Sequence, residues 1–173
     1  GQVGWELQRS LAPLGRVIAL DREGLTPQQA AHLPAWQGLT LLDQPLCGDL
    51  TDLTGLARTV NAVRPHVIVN AAAHTAVDAA ETPEGRRAAW AVNVTGVGRL
   101  VEAAWRERAT LVHVSSDYVF DGERELHDEA EPLSPRGVYG QTKAAGDQLV
   151  ATVPEMLVVA TDVPAKKDRK SVV

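Results

Sequence analysis

The chain has a single cysteine, Cys47. One thiol excludes an internal disulfide framework and fits a reducing compartment, so a cytoplasmic location is expected. No apolar run approaches the roughly 20 residues of a membrane span, and no membrane association is expected. A formal net charge of −5 leaves no basic footprint for nucleic acid. Internal repeats and low-complexity segments are absent. The chain starts at Gly1 without a methionine, so the lack of a visible signal peptide carries little weight. Lysine is scarce beside arginine: Lys143, Lys166, Lys167 and Lys170 are the whole complement, and everything before the last eight residues contains only Lys143.

That one lysine stands four residues after Tyr139, in V-Y-G-Q-T-K-A-A-G-D. On a helix this spacing puts both side chains on one face. The pair suits carbonyl reduction. A phenol can give a proton to a developing alkoxide, but its ordinary pKa near ~10 makes it sluggish at neutral pH. An adjacent ammonium is expected to stabilise the phenolate and lower that pKa. With 173 residues, 45% hydrophobic and 23% charged, the chain can form one domain with a real core.

From the start of the chain, Gly1-Gln2-Val3-Gly4 opens a helical pattern that offers Trp5, Leu7, Leu11 and Leu14 to a buried face, with Gly15 as its C-cap. Arg16–Leu20 is short and apolar, reads as a buried strand, and is followed by Asp21. Turn, helix, strand and acid reproduce the later part of a dinucleotide-binding fingerprint, with Asp21 close to the expected offset of about 20 residues. Gly1 and Gly4 match its last two glycines. Amides at the helix start would bind a pyrophosphate. Asp21 would accept from an adenosine ribose, whereas Arg22 would meet a 2′-phosphate, which leaves NADH against NADPH open. Thr26–Leu33 reads as a short helix, and either Leu39–Leu42 or Leu46–Cys47 supplies a strand. Leu53, Leu56, Val60 and Val63 make an amphipathic helix capped by Thr51 and stopped by Pro65.

Val67–Asn70 is a β-branched strand that runs into Ala71, Ala72, Ala73 and His74. His74 reads as a structural histidine. Small residues at a strand's carboxyl end let a flat ligand lie on the backbone, the edge where open α/β sheets bind ligands. Pro83 opens a long helix over about 84–108. Leu111–Val114 is the next strand and leads into Ser115-Ser116-Asp117-Tyr118, where a hydroxyl can hold a substrate oxygen. After a charged loop over 121–135 comes the Tyr139/Lys143 helix, then a last strand at Met156–Ala160. Alternating strands and helices predict an α/β fold, a Rossmann-like doubly wound parallel sheet over residues 1–163.

The segments G-Q-V-G-W-E-L, V-N-A-A-A-H-T-A-V-D-A-A-E, S-S-D-Y-V-F-D-G and Y-G-Q-T-K together closely resemble the dTDP-4-dehydrorhamnose reductases, a family of the extended short-chain dehydrogenase/reductase superfamily. The resemblance spans nearly everything from Gly1 to about Ala160. It implies NADH- or NADPH-dependent reduction of the C4 ketone of a dTDP-4-dehydro sugar, feeding cell-surface polysaccharide. Tyr139 would be the proton donor, Lys143 would bind the nicotinamide ribose and tune Tyr139, and Ser116 and Asp117 would meet the sugar. Gly1, Gln2, Val3 and Gly4 would line the pyrophosphate, Asp21 the ribose, Asp49 and Leu50 the adenine, and Ala72, Ala73 and Thr75 the cofactor groove. Glu6 matches a glutamate that in some members holds magnesium at a homodimer contact.

Two superfamily alternatives stay open: an epimerase or dehydratase acting on another nucleotide sugar, and a non-catalytic subunit on the same fold. Relative to the family, the first strand, its first glycine and the C-terminal sugar-binding region are missing, and the stretch from Glu23 to Leu46 is longer than in the shortest members. The chain on its own is therefore expected to fold poorly and be inactive. Residues 164–173 change composition sharply. Their end, D-R-K-S-V-V, resembles the translation of a sequencing adapter, so a non-native tail is expected there.

Overall fold

The computed structural model describes residues 2–23, 46–124, 127–128 and 130–160. Gly1, the segments called over Thr26–Leu33 and Leu39–Leu42, and the tail over 164–173 lie outside the described residues.

The β-branched run forms β1, Val67–Asn70, and the next apolar run forms β2, Thr110–Val114. They pair in parallel, Val67 opposite Thr110 and Asn70 opposite His113. On the other side of β2 lies β3, Leu157–Val159, also parallel, so the described sheet runs β1-β2-β3. Parallel neighbours need long crossovers, and helices supply them. β2 alternates as a strand should: Leu111 and His113 are fully buried beneath the helices, while Val112 and Val114 are half-buried on the opposite side.

Helix α1 spans Gln2–Leu11 and continues as a 3₁₀ turn, Ala12–Leu14. It buries no residue; Trp5 is 63% exposed and Leu14 82%. The amphipathic pattern supplies an apolar face, but burial needs a partner surface, and the described strands begin only at Val67. Arg16–Leu20 likewise forms no strand with any neighbour among the described residues. It runs beside Gly48, where a Cβ would collide with the Asp21 carbonyl oxygen. Of the second candidate strand, Leu46 makes only an isolated bridge.

Helix α2, Leu53–Val63, is capped by Asp52, whose carboxylate accepts the Gly55 N–H at 2.9 Å. Thr51, the expected cap, instead bonds Asp49. The acid one residue later is the one that reaches an orphan amide of the first turn. α2 ends at Arg64 in the left-handed conformation, just before Pro65.

A short helix α3, Val77–Ala80, precedes the long helix, which is interrupted. α4 covers Pro83–Trp90, a π-helical segment covers Ala91–Gly96, and α5 covers Val97–Glu107. A π segment rotates one side chain out of the ordinary helical stripe. Here it accompanies the inward turn of Asn93, which is 2% exposed. Helix α6, Val138–Ala151, crosses from β2 to β3. Leu56 and Val60 of α2, Val97 and Leu100 of α5, Leu111 of β2 and Val150 of α6 share the main core. Truncating a residue such as Leu111 to alanine costs about 2–5 kcal/mol in a site this closed.

Candidate active site

Helix α6 carries Tyr139 and Lys143 to the carboxyl end of β2. Gly137 at its N-cap has no side chain to offer, and Glu81 supplies the missing acceptor: its Oε1 takes the Val138 N–H at 2.8 Å. Two glycines let the helix seat closely. A Cβ at Gly140 would strike the Tyr118 carbonyl oxygen, and one at Gly146 the Asn93 carbonyl oxygen.

Tyr139 is buried, with the Tyr118 ring meeting it edge-on at 5.4 Å and 78°. Burial pushes its phenol above the ordinary value. A hydrogen bond with Ser116 pulls the other way, and the charges of Asp117, Tyr118 and Asp147 add to the rise. Ser116 closes β2 into a 3₁₀ turn, Asp117–Val119. Its Oγ donates to Asp117 Oδ1 at 2.9 Å and accepts the Tyr118 N–H at 3.3 Å.

Lys143 is 1% exposed. Its Nζ donates to the Val114 carbonyl at 2.8 Å and lies 3.1 Å from His113 Nε2. Burial pushes its pKa down, and the Asp147 charge opposes that. Among the groups that act on the Tyr139 phenol, Ser116 is the one that draws it down. The ammonium is tied to the end of β2, and desolvation disfavours the charged form of both groups.

The parallel register sets Asn70 beside His113, so the segment after β1 emerges next to the serines. Within it Ala72 and Thr75 are exposed and Ala73 is half-buried. Asn70 Oδ1 accepts the Ala72 N–H at 3.1 Å. Asn93 clamps His74 from both sides, accepting its N–H at 2.8 Å and donating to its carbonyl at 3.2 Å; the same amide donates to Thr142 Oγ1 at 3.0 Å.

The remaining candidates are more dispersed. Gln2 and Val3 are exposed in the first turn of α1, and open space surrounds Gly4 where a Cβ would stand. Asp21 is exposed beside Gly48. Asp49 Oδ1 accepts both the N–H and the hydroxyl of Thr51 at 2.8 Å. The Leu50 side chain packs into the core with residues of α2 and α5, where burial of its apolar surface is favourable. Glu6 is exposed, and among the described residues no group of three or more His, Cys, Asp or Glu gathers to hold a metal ion.

The buried polar side chains of Asn93, His113 and Asp147 had no role in the sequence reading. Their signal is a polar residue where the pattern demands an apolar one. Asn93 interrupts a helical stripe, His113 an alternating strand, and Asp147 the inward face one turn past Lys143.

A parallel sheet crossed by helices, with a Tyr/Lys helix laid against a serine-bearing strand end, defines a Rossmann-like protein of the extended short-chain dehydrogenase/reductase class. Within it, the chain belongs to the family described as the RmlD substrate binding domain, whose model matches residues 1–164. It is 44% identical over 164 residues to the dTDP-4-dehydrorhamnose reductase of Salmonella typhimurium, covering 93% of this chain and 48% of that protein. It is 43% identical over 150 residues to the Escherichia coli K12 reductase, covering 86% and 43%. The chain thus spans about half the length of the curated relatives it matches. Among solved structures, a hypothetical dTDP-4-dehydrorhamnose reductase from Sulfolobus tokodaii superposes with a TM-score of 0.74 at 31% identity, over 94% of this chain and 52% of that one. The Bacillus anthracis reductase, determined in complex with NADP, gives 0.63 at 32% identity, over 82% and 48%. No described helix is long and apolar enough to cross a membrane.

Proposed function

We propose that the full-length protein reduces the C4 ketone of dTDP-4-dehydro-L-rhamnose to dTDP-L-rhamnose with NADH or NADPH. The observation that carries this reading is the meeting of Tyr139, Ser116 and Asp117 at the carboxyl end of β2, beside the small residues that follow β1. Ala72 and Ala73 present nothing beyond a Cβ, which suits a flat ring lying on the backbone, so the residues present fit a nicotinamide dinucleotide. The B. anthracis relative binds NADP. When bound, the reduced nicotinamide supplies the hydride.

This chain's residues do the rest. The raised Tyr139 phenol stays protonated at neutral pH, the form needed to give a proton to the C4 oxygen. Ser116 holds that oxygen when its hydroxyl turns from Asp117 to the substrate. Asp117 faces the sugar. Lys143 offers its remaining N–H groups to the ribose beside the nicotinamide. Gly1, Gln2, Val3 and Gly4 receive the pyrophosphate. Asp21 takes the adenosine ribose, with Arg22 beside it for a 2′-phosphate. Residues 1–163 make up the cofactor-binding domain of a cytoplasmic enzyme, a homodimer in its full-length form.

The test is an assay of the full-length protein with NADPH or NADH and a panel of dTDP-sugars. Oxidation of the cofactor with the 4-dehydro-L-rhamnose compound, and formation of dTDP-L-rhamnose, is the expected result. Epimerisation or dehydration of another sugar without net cofactor oxidation would sink the reading.

A further inference from the structure

Below Lys143 lies a buried group of polar side chains to which the proposed reduction gives no task. Asn70 Oδ1 is occupied by the Ala72 N–H, so its amide nitrogen faces His113 Nδ1 at 2.9 Å and donates to it. A neutral imidazole that accepts at Nδ1 carries its proton on Nε2. Burial, aided by the Lys143 charge, depresses His113 to about 3, so the ring is neutral at physiological pH.

The Nε2–H therefore lies between Lys143 Nζ at 3.1 Å and Asp147 Oδ1 at 3.5 Å. An ammonium cannot accept that proton, whereas a carboxylate can. Asp147 Oδ2 already takes the Ser115 hydroxyl, and Oδ1 is buried with no hydrogen-bond partner. Lys143 and Asp147 are four residues apart on α6, so the carboxylate sits one turn along the same inward face.

We infer that Asp147, by its charge and by taking the His113 Nε2–H that a neutral Lys143 amine would otherwise accept, keeps Lys143 in its ammonium form and so acts as a positioning residue; this rests on the role given to Lys143 above. The titratable groups that bear on this cluster are Asp147 and Tyr139 from the same helix, His113 from β2, and Asp117 and Tyr118 from the turn packed on the helix. β1 and the π segment bring Asn70 and Asn93, which do not titrate. Asp147 is the only negative charge that opposes the effect of burial on Lys143.

The experiment uses the full-length protein as wild type, Asp147→Asn and Asp147→Glu. It reads kcat/KM against pH and, separately, NADPH affinity against pH by fluorescence titration. In Asp147→Asn the alkaline limb of both profiles is expected to move down by about one pH unit, a tenfold loss at any pH on that limb. Asp147→Glu keeps the charge and is expected to keep the limb where the wild type has it. An Asp147→Asn profile lowered equally at every pH would mean packing alone and overturn the inference. If Asp147→Asn fails to fold, a displaced limb in Asp147→Glu overturns it equally. Wild type that binds NADPH but leaves the sugar unreduced would defeat the proposed reaction instead, and the binding profile would still decide the role of Asp147.

Discussion

Glu81 caps the helix that carries Tyr139 and Lys143: its carboxylate accepts the Val138 N–H at 2.8 Å across 57 positions of sequence. A negative group at a helix N-terminus meets both an orphan amide and the positive end of the helix dipole. The segment after β1 and α6 are thereby fastened together. Glu81→Ala is expected to lower stability by about 1 kcal/mol. It should also raise KM for NADPH more than the isosteric Glu81→Gln does. Denaturant titration and steady-state kinetics of the full-length protein check both effects. Equal behaviour of the two variants would show that the acceptor oxygen has no part in it.

Replacing Tyr139 with phenylalanine removes the proposed proton donor and keeps the ring that packs edge-on to Tyr118. The expected loss in kcat is about 10²–10⁴-fold. NADPH affinity should remain within a factor of a few. Turnover unchanged in Tyr139→Phe would take this residue out of the reaction.

Gly140 tests the close seating of α6. In an open helix, glycine to alanine gains about 1 kcal/mol. Here the new methyl meets the Tyr118 backbone, which cannot swing aside as a side chain tip can. Gly140→Ala is therefore expected to destabilise by about 1–3 kcal/mol and to slow reduction by displacing Ser116 and Tyr139. Gly4→Ala, with nothing within 4 Å of its Cβ, is the control and should be neutral or stabilising. A melting temperature for Gly140→Ala at or above wild type would contradict the packing described.

His113 predicts a pH dependence of stability. Its folded-state pKa lies near 3 against an ordinary 6.5, because burial and then Lys143 disfavour the imidazolium. Between those values the unfolded chain binds a proton that the folded chain refuses. Stability is thus lost as pH falls from about 6.5 toward 3, on the order of 1 kcal/mol per unit from this group alone. The raised carboxyl of Asp147 works in the opposite direction above its ordinary value of 3.8. The contribution of His113 is therefore read as a difference: the gap between wild type and His113→Gln should narrow as pH drops through that window. A gap independent of pH would mean that His113 titrates alike in the folded and unfolded chains.

The strands β1, β2 and β3 were legible because β-branched and apolar runs bounded by turns have few other uses. The Tyr139/Lys143 spacing was legible because four residues make one helical turn. The strand expected over Arg16–Leu20 and the buried face expected on α1 failed for one reason. Hydrophobic pattern states what a segment can offer, not whether a surface stands opposite to receive it.

The site divides in the same way. The amino-acid order alone determined the parallel α/β class, the helix that presents a phenol and an amine on one side, and the serine-bearing turn after β2. Only the tertiary structure decided that Lys143 faces His113, Val114 and Asp147, that Asn93 turns inward from a π segment to grip His74, and that Glu81 closes the Tyr139/Lys143 helix. Those choices depend on where neighbouring backbones stop and which buried polar atoms still need partners, and such distances are set by packing between segments far apart in the chain.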